Sequence, residues 1–164
     1  MTNNCDEKYP ILIEETYKTA RTYKPSKIEC EGSHLYILIH GMGGTQFDMR
    51  RIMNEIKLVN PDARFMLSSA NEKKRSMADI DLMGRRLAVE VQDFLEEGDD
   101  EDDAVGIEKI SFIAFSLGGL ILRAALPRLD THKELFHAFV TLSSPHMGYL
   151  SNESRIVKTG IWAW

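Results

Sequence analysis

Three short segments bring together residue types that can do acyl chemistry: "AFSLG" (114–118), "HGMGG" (40–44) and "SSPHMG" (143–148). The first places Ser116 between an unbroken apolar run and an amphipathic one. Its bland role would be a helix N-cap, satisfying free amides at the start of a helix. The spacing says more. "AFSLG" is the pattern G-x-S-x-G with Ala114 in place of the first glycine, and that pattern marks a sharp strand-to-helix turn that projects a nucleophilic serine. The reason for small residues two before and two after the serine is steric, because strand and helix must pass closely around a strained backbone. Ala114 and Gly118 both meet that need.

The second segment, "HGMGG", could be a simple tight turn. It does not fit a phosphate loop: the dinucleotide pattern would need glycine at position 46, where Gln46 stands, and the Walker pattern would need a Gly-Lys-Ser/Thr ending. It does fit an oxyanion loop. Acyl transfer passes through a tetrahedral oxyanion that requires preorganised donors. One donor is expected from the backbone amide after the serine, Leu117, and the other from the loop after an earlier strand, here Met42 or Gly43.

These segments need a scaffold. "HLYILIHG" (34–41), "ARFMLSSA" (63–70), "KISFIAF" (109–115) and "HAFVTLSS" (137–144) read as buried strands. "TQFDMRRIMNEIKLV" (45–59) places Phe47, Ile52, Ile56 and Val59 near helical spacing and ends at Asn60-Pro61. "SMADIDLMGRRLAVEVQDFLEE" (76–97) predicts the longest helix, with Ser76 and Asp79 as a capping pair and Ile80, Met83, Leu87, Val91, Phe94 and Leu95 on its apolar face. A third helix comes after Ser116 and stops near Pro127. Strands alternating with amphipathic helices imply an α/β fold with a parallel sheet covered on both faces. In such sheets function gathers at the carboxyl ends of the strands, so chemistry is to be sought in four segments there, "HGMGG", "SSANEKK" (68–74), "FSLGG" and "SSPHMGY".

Composition narrows the classes. The chain has 164 residues and a net charge of −5, enough for one domain and a poor match to a nucleic-acid binder. Seven acids crowd into "EEGDDEDD" (96–103), read as a solvated loop insert, since like charges at that density repel. A calcium site there fails the EF-hand spacing, and no cofactor or metal motif is read. Two cysteines, Cys5 and Cys30, and a polar start "MTNNCDEKYP" predict a reducing, cytoplasmic setting without a secretory leader. The longest uncharged run, Ile110 to Leu122, is too short for a membrane span, which needs about 20 residues.

"HLYILIHGMGG", "ISFIAFSLGGLILRAAL" and "FVTLSSPHMGYL" together resemble the α/β-hydrolase family of serine esterases related to lipases, and "SNESRIVKTGIWAW" resembles the segment after the sheet strand in that family. The likeness covers residues 32–164, with 1–31 as an amino-terminal extension. Together with right-handed crossovers it predicts the strand order 63–70, 34–40, 109–115, 137–144, all parallel. It implies that Ser116 is the nucleophile, that His40 is a structural histidine of the His-Gly loop, and that His146 lies beside the site. The implied substrate is an ester. The apolar ending, which suggests a lid, points to an ester of lipid type, with peripheral contact to a lipid surface and no nucleic acid. A serine nucleophile needs a base oriented by an acid, in the order serine, acid, histidine. His132 and His137 come before or at the fourth strand, His146 comes too early for the base, Asp130 lies on the wrong side of that strand, and Glu153 is a weak acid candidate. The expectation is an amino-terminal part of a hydrolase domain, truncated before its acid and base and inactive by itself. A non-catalytic α/β-hydrolase-like binding module is the alternative.

Overall fold

The computed structural model describes residues 33–97 and 106–147. The chain divides into two units, 1–31 and 32–164, and only the second contains described residues. Both cysteines, most of the acidic run and the ending from residue 148, Glu153 included, lie outside them.

Four strands form one parallel sheet in the order β2-β1-β3-β4, where β1 is Ser33–Ile39, β2 Arg64–Leu67, β3 Ile107–Phe115 and β4 Phe136–Leu142. This is the order and direction expected from the family resemblance together with right-handed crossovers. Leu38 sits in register with Leu67 and Ile113, and Phe115 with Leu142. The central strands supply the most buried side chains, among them Leu35, Ile37, Ile110 and Phe112. Strands buried on both faces read as continuous apolar runs rather than alternating ones, which is how β1 and β3 look.

Among the described residues three α-helices connect the strands: α1 (Arg50–Val59), α2 (Ile80–Glu97) and α3 (Gly118–Ala125). The apolar stripe of α2 is as expected. Met83, Leu87 and Val91 are fully buried and Ile80, Phe94 and Leu95 pack against the same core. Truncating Leu87 there would remove a side chain that belongs to the sheet core, a change that typically costs about 2–5 kcal/mol.

Several boundaries differ from the sequence reading, each for a physical reason. The stretch 45–59 begins as a 3-10 turn, Gln46–Met49, before α1, and Phe47 and Val59 are exposed rather than on the buried face. β2 stops at Leu67 because Glu90 of α2 engages residues 68–70. Its carboxylate accepts hydrogen bonds from Ser68 Oγ (2.6 Å), the Ser69 amide (2.7 Å) and hydroxyl (2.9 Å), and the Ala70 amide (2.9 Å). Ser76 is not the cap of α2. Asp79 fills that place, its Oδ1 accepting from the Asp81 amide at 2.8 Å, while Ser76 sits fully buried in a preceding 3-10 turn, Lys73–Met77.

Candidate active site

Ser116 stands between the end of β3 and the start of α3 with φ +52°. A non-glycine residue in the left-handed region is uncommon and costs free energy that the surroundings must supply. Here the supply is visible. The Ser116 amide donates to Leu142 O at 2.8 Å, fixing the turn to the end of β4, and Ser116 O accepts from the Gly119 amide at 3.1 Å. The side chain is half-exposed, and its hydroxyl forms no hydrogen bond to any described residue.

Two glycines let the neighbouring loop reach the serine. A Cβ on Gly118 would lie 2.6 Å from His40 O and 2.9 Å from Ile39 O, so α3 can start against the end of β1 only without a side chain there. A Cβ on Gly41 would lie 3.1 Å from Ser116 Cβ. The His-Gly loop therefore lies directly beside the serine.

The loop's own order comes from two sources. From within, buried His40 donates from Nδ1 to Gly41 O at 2.8 Å; the carbonyl can only accept, so the proton must be on Nδ1. His40 is a loop-shaping residue, turned toward its own backbone. From outside, the 72–76 turn clamps the loop at three points. Gly43 N donates to Ser76 Oγ (2.6 Å), Lys73 N donates to Gly44 O (2.8 Å), and Gln46 N donates to Glu72 Oε1 (2.9 Å). Ser76 Oγ in turn donates to Lys73 O at 2.6 Å. Sequence reasoning missed this clamp.

The clamp discriminates between the two loop amides. Gly43, at φ +69°, has its amide committed to Ser76. The amides of Met42 and Leu117 have no acceptor among the described residues, and Leu117 opens α3, where the first amides are free by geometry.

His146 is held elsewhere. Its Nε2 lies 2.9 Å from Thr141 Oγ1, and its amide donates to Ser144 O. All five histidines fall within the described residues, and none hydrogen-bonds Ser116. His132 contacts Thr131, and His137 meets the edge of His34 at a ring distance of 5.2 Å. Among the described residues no group of three or more His, Cys, Asp or Glu is arranged to hold a metal. An open cavity of about 550 Å³ lies instead between α1, β2 and α2, lined by Phe47, Met53, Phe65 and Phe94 with Arg50 and Glu90; neither the serine nor the His-Gly loop lines it.

Comparison with known proteins agrees with this geometry. The family described as "Putative serine esterase (DUF676)" matches residues 29–164. A Saccharomyces cerevisiae protein named a putative lipase is 32% identical over 173 residues, covering 96% of this chain and 25% of the yeast protein. A lysosomal thioesterase of Bos taurus is 28% identical over 112 residues, covering 68% of this chain and 33% of its own length. The chain thus spans only a quarter to a third of these relatives. Among solved structures, Aspergillus fumigatus lipase B superposes with a TM-score of 0.51 at 15% identity, over 68% of this chain and 24% of the lipase. Bacillus licheniformis lipase BlEst2 superposes with a TM-score of 0.50 at 17% identity, over 79% and 51%. At such identities the two structures bear on the fold alone, and that fold is the α/β-hydrolase sheet. With its sheet order, its strained Ser116 turn and a family match over most of its length, the chain belongs to the DUF676 serine esterase family of lipase-like α/β-hydrolases.

Proposed function

We propose that this chain carries the nucleophile half of a serine esterase acting on carboxylic esters of lipid type. The observation that carries the reading is Ser116 at φ +52° with Gly41 packed against it. In the proposed reaction Ser116 Oγ attacks the acyl carbonyl carbon and its proton passes to a base. The carbonyl oxygen becomes an oxyanion received by the amides of Leu117 and Met42. Collapse expels the alcohol, which takes up the proton, and water then hydrolyses the acyl-enzyme by the same route. Thioesters pass through the same oxyanion, so the thioesterase relative fits this chemistry. Gly43 serves by shaping the loop through Ser76, and His40 by shaping it from within. His146, engaged with Thr141, is a neighbour of the site. We also place the protein in the cytoplasm and away from nucleic acid; its acidic balance supports the second of these.

The lack of any histidine on Ser116 favours a second reading, a non-catalytic module that binds lipid or a partner. Added imidazole separates the two. A nucleophile with an oxyanion hole and no base should accept an external one, so p-nitrophenyl butyrate hydrolysis should rise with imidazole beyond the rate of a Ser116→Ala control. Equal rates in both proteins would support the non-catalytic module. No helix among the described residues is long and apolar enough to cross a membrane, so contact of these residues with lipid would be peripheral.

A further inference from the structure

The turn that clamps the oxyanion loop also carries an uncommon surface. Lys73, Lys74 and Arg75 are consecutive and all exposed, and none of them forms a salt bridge with a described residue. Arg86 joins them, its Nη1 donating to Arg75 O at 3.3 Å. The flanking carboxylates are already engaged with backbone amides, Glu72 with Gln46 and Asp79 with Asp81. The next exposed residue in the turn is Met77, 60% accessible, and across the Gly43–Ser76 hydrogen bond stands Met42, 52% accessible. Lys74 and Arg75 therefore share a turn with exposed Met77, and that turn is hydrogen-bonded to the His-Gly loop, which carries exposed Met42 beside the serine.

We propose that the Lys73–Met77 turn and Met42 form a docking surface for an anionic lipid bilayer, which would set the half-exposed Ser116 near the membrane interface. Cations beside exposed apolar side chains are what such an interface recognises: lysine and arginine meet anionic headgroups while apolar side chains enter the acyl boundary. The three clamp bonds transmit the docking to the oxyanion loop, because the basic turn cannot move without Gly43, Gly44 and Gln46. The overall acidity of the chain does not oppose this, since the acid is concentrated in 96–103 and the rest is slightly basic. The proposal deepens the lipid-ester reading and rests on it for its purpose, but binding is measured without turnover, so the two can fail separately.

The test is flotation of the 164-residue chain with vesicles of phosphatidylcholine alone or with added phosphatidylserine, at low and high salt. The wild type should float with the phosphatidylserine vesicles only, and less at high salt, where screening shortens the range of the charges. Each basic residue near such a surface contributes roughly a factor of five in binding, so Lys73→Glu/Lys74→Glu/Arg75→Glu should weaken it by about a hundredfold or more. Met42→Ser/Met77→Ser should weaken it at both salt concentrations. Lys57→Glu/Arg123→Glu, which changes charge elsewhere, should leave most of the binding intact, and circular dichroism should confirm that each variant is folded. Equal flotation with both vesicle types, equal loss in the Lys57/Arg123 control, or unchanged binding in the triple variant would overturn the proposal. Displacement of the protein by soluble phosphoserine or inorganic phosphate at constant ionic strength would also overturn it, by showing a headgroup pocket in place of a surface.

Discussion

Two loops flank Ser116, and they are built to different standards. The loop after β1 is tied down by His40 from within and by three hydrogen bonds from the 72–76 turn. It has little tolerance for a side chain where Gly41 meets the serine. The loop after β4 is looser in its commitments. Ser143 is at φ +54°, Ser144 Oγ is buried with no partner among the described residues, and His146 turns back to Thr141. Phe139, Val140 and Leu142 on the strand before it are partly exposed. An enzyme of this class needs an oxyanion side and a base side. The difference teaches that the described residues fasten the side on which the proposed reaction would place its oxyanion, while the histidine at hand on the other is engaged with its own strand.

Substitutions on the two sides should differ accordingly. The largest effect is expected for Ser116→Ala, which should abolish phosphonate labelling while leaving the thermal unfolding midpoint nearly unchanged; label persisting in that variant would place the nucleophile elsewhere. Ser76→Ala comes next. It frees the Gly43 amide and loosens the His-Gly loop, so under the proposed reaction the Ser116 labelling rate should fall by about tenfold, a fraction of what losing an oxyanion donor outright costs. Glu72→Gln keeps an acceptor for Gln46 and should be nearly silent, whereas Glu72→Ala should resemble Ser76→Ala. Gly118→Ala forces a methyl onto the backbone oxygens of Ile39 and His40 and should destabilise the fold by about 1–3 kcal/mol in urea denaturation. On the other side His146→Ala should change labelling by less than about twofold, since its imidazole is engaged with Thr141 and makes no hydrogen bond to Ser116.

The smallest effect on labelling belongs at the far end of the sheet, where a titrating group acts on stability instead. Burial, then His137 and Lys109, lower the His34 pKa from 6.5 to about 4, and its Nε2 contacts Ser111 Oγ at 2.7 Å. Between those values the unfolded chain binds a proton that the folded chain does not. Stability should therefore fall as pH drops from 6.5 toward 4 and level off below. His34→Asn should flatten that slope in urea titrations without altering Ser116 labelling; an unchanged slope would show that His34 is not its source.

Much of this was legible in the residues themselves. The parallel sheet agrees with the apolar runs, its strand order with the family resemblance taken together with right-handed crossovers, and the elbow with the small residues at 114 and 118. The local pattern also misled. Ser76 and Asp79 read as a capping pair, but Asp79 caps α2 alone and Ser76 holds Gly43, 33 residues away in the chain. Such a bond has no local signature, because any buried hydroxyl that meets an amide would serve. β2 proved short for a similar reason: the residues after Leu67 read as strand until Glu90, on another element, claims the Ser69 and Ala70 amides and the Ser68 and Ser69 hydroxyls.

The central claim is that Ser116 is a prepared nucleophile without a histidine base among the residues present. The pH dependence of its phosphonylation by a fluorophosphonate, located by mass spectrometry, tests it most directly. Without a base, attack depends on hydroxide, so the rate at Ser116 should climb about tenfold per pH unit with no plateau across the histidine range. A sigmoid centred near the ordinary histidine value of about 6.5 would contradict the account by revealing a base, and its loss in His146→Ala would name that base.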